Sequence, residues 1–244
     1  MNILAPVAAD AAPLPAVTRT TRPGRDFAAL IQQRTPTEAV ARASAARAWE
    51  AAPNGAFRQR IAQAERSAEH AQNGYGVRNP NSGALGRYQF LPNTLVDIGW
   101  RQADGGWSTT ARRQGVQNEA DFLASPAAQE AAMSAYLGRV ETQLHRNGAA
   151  SRQGDVVQGI NGQEIALTEG GMVAAAHRRG AGTVARWLQH RTATPDAPLS
   201  VQQRNAYAQV ERRLQEFAAI AYASQRGQPA GRDLAATSAQ GSAS

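Results

Sequence analysis

Alanine dominates the apolar residues of this chain, and that bias limits the fold more than any motif does. Hydrophobic residues make up 42% of the sequence, but aromatics only 6%. Small faces let helices pack closely and alanine favours the helix, whereas a sheet draws on β-branched and aromatic residues. A mostly α-helical protein is therefore expected. A length of 244 residues points to one domain of moderate size with disordered ends.

Local pattern fills in this outline. Residues 1–24 alternate Ala, Pro, Thr and Arg without helical periodicity and read as disordered. Short helices are predicted over Phe27 to Gln33 and over about 37–51, so 1–51 forms an Ala-, Pro- and Arg-rich N-terminal segment. The main domain is placed at 52–225 and a disordered Gly/Ser/Ala tail at 226–244. Asn54 is the expected cap of a helix over about 55–71, with Phe57, Ile61, Ala64 and Ala68 on one stripe and Glu65 at its border. A helix is also predicted from Leu95 to Trp100, capped by Asn93 or Thr94. Residues 119–145 form a helical region in which Ser125 caps, Pro126 opens and Gln129 completes a capping box. Asn161-Gly162 between two short apolar runs marks a small β-hairpin within 155–167. Thr168 caps a helix that Gly180 and Gly182 end, Thr183 opens another, and a last helix covers about 199–224.

The net charge is +7 and, with no lysine present, arginine carries the basic charge. The guanidinium fork suits carboxylate and phosphate, so an anionic partner is expected: nucleic acid, membrane surface or an acidic polymer such as bacterial wall. A base-composition bias in the genome would also favour Arg and Ala over Lys. The basic residues are dispersed and form no nucleic-acid motif, so nucleic acid is not the expected partner. Cysteine is absent, which removes disulfides, thiolate nucleophiles and Cys-ligated metals. His70, His145, His177 and His190 are too scattered for a metal motif, and no cofactor is expected. No apolar run approaches the ~18 residues of a membrane span. The opening Met1-Asn-Ile-Leu-Ala-Pro-Val lacks the basic and continuous apolar regions of a signal peptide, so export by another route is expected.

One stretch is not ordinary core patterning: Gly83-Ala-Leu-Gly-Arg-Tyr-Gln-Phe-Leu-Pro-Asn-Thr94. Gly83 and Gly86 permit close backbone approach, while Tyr88 and Gln89 offer an aromatic face and an amide suited to gripping a sugar. It lies between the carboxylate-bearing helix Ile61-Ala-Gln-Ala-Glu65 and a turn, Ala176-His-Arg-Arg-Gly-Ala-Gly-Thr-Val184, that leads into Trp187-Leu188. In this order the segments resemble the lysozyme-like lytic transglycosylases and related peptidoglycan hydrolases. The branch whose loop reads Gly-Arg-Tyr-Gln is the most similar, and Ala124-Ser-Pro-Ala-Ala-Gln-Glu-Ala-Ala132 looks like that branch too. The resemblance covers about 55–190. Glu65 is followed by Arg66, with Ser67 one place later than the family's Ser, and His177 and Arg178 stand where the family usually has Tyr and Asn.

The resemblance implies a lysozyme-like fold and cleavage of the β-1,4 link between N-acetylmuramic acid and N-acetylglucosamine. Its one-carboxylate route closes a 1,6-anhydro ring on the muramic sugar; hydrolysis by a muramidase is the alternative. A proton donor for this bond needs partial burial to hold its proton near neutral pH, which favours Glu65, with Glu69 one turn on as the alternative. Ordinary glycosidases use a second carboxylate, and only Asp97 and Asp104 lie near in sequence. Gln89 either meets substrate, holds the catalytic carboxyl or braces its loop; Tyr88 packs under a sugar or belongs to the core. Gly86, His177 and Gly180 are expected in the cleft walls. Arg87, Arg178 and Arg179 are candidates for stem-peptide carboxylates. The expected setting is the cell envelope or a virion, within a secretion, flagellar or phage assembly that opens the wall. A non-catalytic wall-binding protein on a degenerate lysozyme-like fold is the reading from another class.

Overall fold

The computed structural model describes residues 47–226, with positions 41 and 45 before them. The segments expected at 1–24 and at Phe27 to Gln33, the start of the 37–51 helix and the tail from Gly227 lie outside the described residues. The protein is mostly helical with a small antiparallel β-hairpin, as the alanine-rich composition leads one to expect.

Helix α1 (Ala48–Ala51) precedes α2 (Gly55–Ala64), which buries Phe57 and Ile61. Asn54 starts α2 without capping it through its side chain. Its amide instead brackets Ala223 near the C-terminus, with both hydrogen bonds at 2.8 Å. Helix α2 stops at Ala64 rather than near 71, because Arg66 turns left-handed at φ 58°. The Ser67 hydroxyl then donates to the carbonyls of Ala62 and Arg87, fixing the departing chain to the Gly-rich loop. Two 3-10 turns follow, Ser67–Glu69 and Ala71–Gly74.

Helix α3 (Pro92–Asp97) has its proline in the first turn, where the absent N–H is no loss, so Asn93 and Thr94 lie inside it rather than at its cap. Helix α4 (Thr109–Arg113) and α5 (Glu119–Ala124) are capped by Ser108 and by an Asn118/Asp121 capping box. Helix α6 (Pro126–Arg146) starts where expected, the Ser125 hydroxyl accepting from Ala128 N–H. Gln129 does not complete a capping box there; its side chain is buried against the Gly-rich loop.

Strands β1 (Val156–Gln158) and β2 (Glu164–Ala166) pair with Val157 opposite Ile165. Those two residues face inward, and the other strand residues are exposed. Thr168 caps α7 (Glu169–Arg179), whose residues from Gly170 to Ala176 are all buried. A Cβ on Gly171 would come within 3.1 Å of the Leu214 carbonyl, so the missing side chain is what lets the two helices approach. Gly180 (φ 80°) is the shared hinge to α8 (Ala181–Ala193), which therefore begins before Thr183 and contains Gly182. Helix α9 (Val201–Phe217) opens with a Ser200/Gln203 capping box and packs along α7.

The expected last helix reaches 224, but α9 ends at Phe217 and the chain becomes a strap. Phe57 meets the rings of Phe217 and Tyr222 edge-on, at 5.2 and 4.7 Å. The buried Glu141 carboxylate accepts from the hydroxyls of Tyr222 and Ser224 and from the N–H groups of Gln225 and Arg226. Side-chain partners thus take the place of the helical ladder for the N–H groups of Ala223, Gln225 and Arg226.

Candidate active-site cleft

The Gly83–Thr94 loop is held from behind by two consecutive residues of α6. Gln129 accepts from Arg87 N–H at 2.9 Å and donates to the carbonyls of Tyr75 and Phe122, each at 2.9 Å. Gly86 has φ 70°, and a Cβ there would overlap the Gln129 amide. Its role is this close approach, not contact with a sugar.

Glu130 anchors the same loop more deeply. Its carboxylate accepts from Arg58 at 2.7 Å, from the Tyr75 hydroxyl at 2.6 Å and from the Tyr88 hydroxyl at 2.7 Å. Arg58 is fully buried and also donates to the Glu130 carbonyl and to Ser134. Burial and the Glu130 charge push both tyrosine hydroxyls upward, so they remain donors.

Tyr88 and Arg87 are therefore core residues, which corrects their assignment as sugar- or peptide-contacting groups. The Arg87 guanidinium stacks over Trp49, Tyr75 and Tyr88 at 5.1, 5.5 and 5.8 Å. It donates to the carbonyl of Asn73 and to Gln59. Gln89 sits at φ 51° and is partly exposed, with its amide nitrogen donating to Gly86 O at 2.9 Å. It braces its own loop rather than gripping Glu65.

Glu65 ends α2, with its side chain 15% exposed. Three side chains from two other helices surround its carboxylate. Arg213 of α9 approaches Oε1 at 3.4 Å, Arg178 of α7 approaches Oε2 at 3.6 Å, and His177 Nδ1 lies 4.0 Å from Oε1. Burial lowers the His177 imidazole to about 4, with Glu65 opposing the shift and Arg213 and Arg178 adding to it. His177 is consequently neutral near pH 7. Glu69 differs on every point: it is exposed, sits in a 3-10 turn, and pairs with Arg66 at 3.7 Å.

Next to this cluster lies an open cleft of about 230 Å³, lined by Thr94, Asp97, Tyr136, Arg139, His177 and Gly180 among others. Tyr136 stands edge-on to His177 at 5.4 Å, and Phe90 of the Gly-rich loop meets Tyr136 at 6.0 Å. Burial, then the charges of Glu65 and Asp97, raise the Tyr136 hydroxyl, so it stays protonated between two carboxylates. Asp97 pairs with Arg139 at 3.5 Å on the cleft wall, whereas Asp104 bonds its own turn at Gly106 N–H.

The structure thus brings Glu65, His177, Arg178 and Gly180 together and turns Gly86, Arg87 and Tyr88 away. Sequence reasoning did not single out Tyr136 or Arg213, neither of which carries a local signal. Among the described residues, no cluster of three His, Asp or Glu side chains could hold a metal ion. No described helix is long and apolar enough to cross a membrane. Comparison with protein-family profiles, curated proteins and solved structures returns no match.

Proposed function

We propose that this protein cleaves the β-1,4 bond between N-acetylmuramic acid and N-acetylglucosamine in peptidoglycan, as a lytic transglycosylase with Glu65 as its one catalytic carboxyl. The observation that carries the reading is the meeting of three sequence-distant segments beside one cleft. Glu65 faces His177 and Arg178 of the third segment, and Ser67, just past Glu65, donates to Arg87 O of the Gly-rich loop.

In this reading protonated Glu65 gives its proton to the glycosidic oxygen as the C1–O bond breaks. The C6 hydroxyl of the muramic sugar then attacks C1 and returns its proton to the Glu65 carboxylate. One product carries a 1,6-anhydro ring, the other a free hydroxyl, and no water is consumed. Neutral His177 walls the site without competing as an acid at pH 7. The biological setting consistent with this chemistry is the bacterial envelope, where a secretion, flagellar or phage assembly opens the wall.

A hydrolytic second reading draws on Asp97, whose carboxylate lies on the cleft wall and could activate water. Digestion of purified sacculi, with mass spectrometry of the released muropeptides, separates the two. Anhydro ends are the expected product; reducing ends identify a muramidase. Absence of release by the wild type, with binding to sacculi retained, overturns both and identifies a wall-binding protein. Full activity in Glu65→Gln, with loss in Glu69→Gln, moves the acid to Glu69.

A further inference from the structure

We infer that Arg178 is a specificity-determining residue that exchanges Glu65 for a carboxylate borne by the glycan strand; this deepens the peptidoglycan reading and rests on it. The two guanidinium groups at Glu65 are held very differently. Arg213 is 7% exposed and tethered by Glu216 at 2.9 Å, with weaker contacts to Ala64 O and Glu65 at 3.5 and 3.4 Å. It is a fixed part of the wall. Arg178 is 44% exposed, and its one partner among the described residues is Glu65, at 3.6 Å.

That separation exceeds a hydrogen bond, and an exposed ion pair of this kind contributes little stability. Arg178 can therefore leave Glu65 for another anion with little loss. The charges around the site favour the exchange. Arg60 and Arg213 face Glu216, Arg213 also faces Glu65, and His177 is neutral, so Arg178 is the cation in excess. Arg179 beside it is exposed and has no ion pair among the described residues. Across the cleft, Arg139 is already matched by Asp97. The surplus positive charge thus lies on the His177–Gly180 side of the cleft, where a planar guanidinium can take a carboxylate through two parallel hydrogen bonds. The exchange would leave Arg213 as the one cation paired with Glu65.

The carboxylate is that of a stem peptide or, on a muramic sugar that carries no stem, the free lactyl group. The test uses three preparations of sacculi: untreated, stripped of stem peptides by an amidase so that only lactyl carboxylates remain, and amidated throughout with carbodiimide and ammonia. Co-sedimentation gives apparent Kd, and muropeptide release gives KM and kcat. Wild type is expected to bind untreated over amidated sacculi by about tenfold, the size of one charge-assisted hydrogen-bonded contact, and to show the preference in KM rather than kcat. Arg178→Gln abolishes the preference, Arg178→Lys restores part of it, and Arg112→Gln, on the distant α4 surface, leaves it intact. The lactyl carboxyl is tied up as an amide wherever a stem is attached. A preference for untreated over amidated sacculi that is lost on stripping therefore assigns the stem peptide, and one that appears or grows only on stripping assigns the freed lactyl group. An unchanged preference in Arg178→Gln overturns the inference, as does an equal fall in kcat on all three preparations. The co-sedimentation arm reads Arg178 even if no glycan is cleaved, so failure of the catalytic reading and failure of this one are told apart.

Discussion

Two glutamates of this protein, Glu130 and Glu65, each face arginine, and the contrast between them separates architecture from chemistry. Glu130 is 4% exposed and meets Arg58 at 2.7 Å, with two tyrosine hydroxyls completing its shell. Each donor is at charge-assisted or ordinary hydrogen-bond distance, and burial closes the carboxylate to a ligand. Glu65 is more exposed and its nearest cation is 3.4 Å away. Its partners surround the carboxylate without saturating it. The proposed role of Glu65, to change protonation state and meet a sugar, needs this second environment, and a loop that must keep one shape needs the first. The buried Glu141 and Glu211 belong with Glu130: one holds the C-terminal strap, the other holds Ile160 and Gln163 of the hairpin and Trp187 of α8.

The largest expected effect breaks the architectural side. Glu130→Gln leaves the fully buried Arg58 without its counter-charge and should cost about 3–5 kcal/mol in urea unfolding. Stability close to wild type in that variant would remove the distinction drawn between the two sites. Next comes pH. His177 is held near 4 when folded against 6.5 when unfolded, so the unfolded chain binds the extra proton between those values. The stability from keeping His177 neutral is complete above pH 6.5 and falls as pH drops toward 4, by about 3 kcal/mol at most. Unfolding curves of wild type and His177→Gln across this window should converge in slope above it and diverge within it; parallel curves throughout would refute the shift.

Gly86→Ala tests how tightly the loop is held, since it forces a side chain into the Gln129 amide at a positive φ. A loss of about 1–3 kcal/mol is expected, and a thermal melt indistinguishable from wild type would show the loop to be loose. The smallest expected stability change comes from Glu65→Gln, within about 1 kcal/mol, because its ion pairs are long and partly exposed. The same variant should lose muropeptide release by about a hundredfold or more. Unfolding as severe as in Glu130→Gln would instead make Glu65 a structural residue.

Much of the fold was legible because it is written in short-range patterns. The stripe of Phe57 and Ile61, the Ser125 and Thr168 caps and the Gly162 turn each act within a few residues. Where the reading went astray, a distant contact overrode the local pattern. Helix α2 ends at Ala64 although alanine continues beyond it, because Ser67 bonds to Arg87 across 20 positions. Gln129 leaves the capping box it could have joined for a loop 42 positions away. In the candidate site, Glu65 and the His177–Gly180 turn were visible as residue types in order. Arg213 was not, because nothing in α9 marks one arginine as facing a carboxylate 148 positions earlier.

The sequence by itself determined a helical protein with one hairpin, since helix propensity and hydrophobic period are local properties of the chain. It also displayed Gly86-Arg-Tyr-Gln89 as an unusual loop. Only the tertiary structure decided that Arg87 and Tyr88 face inward while Arg178 stays partly exposed beside Glu65. Burial and charge neighbourhood are set by which distant helices come together, and an arginine looks the same in the sequence whether it stacks in a core or waits at a surface.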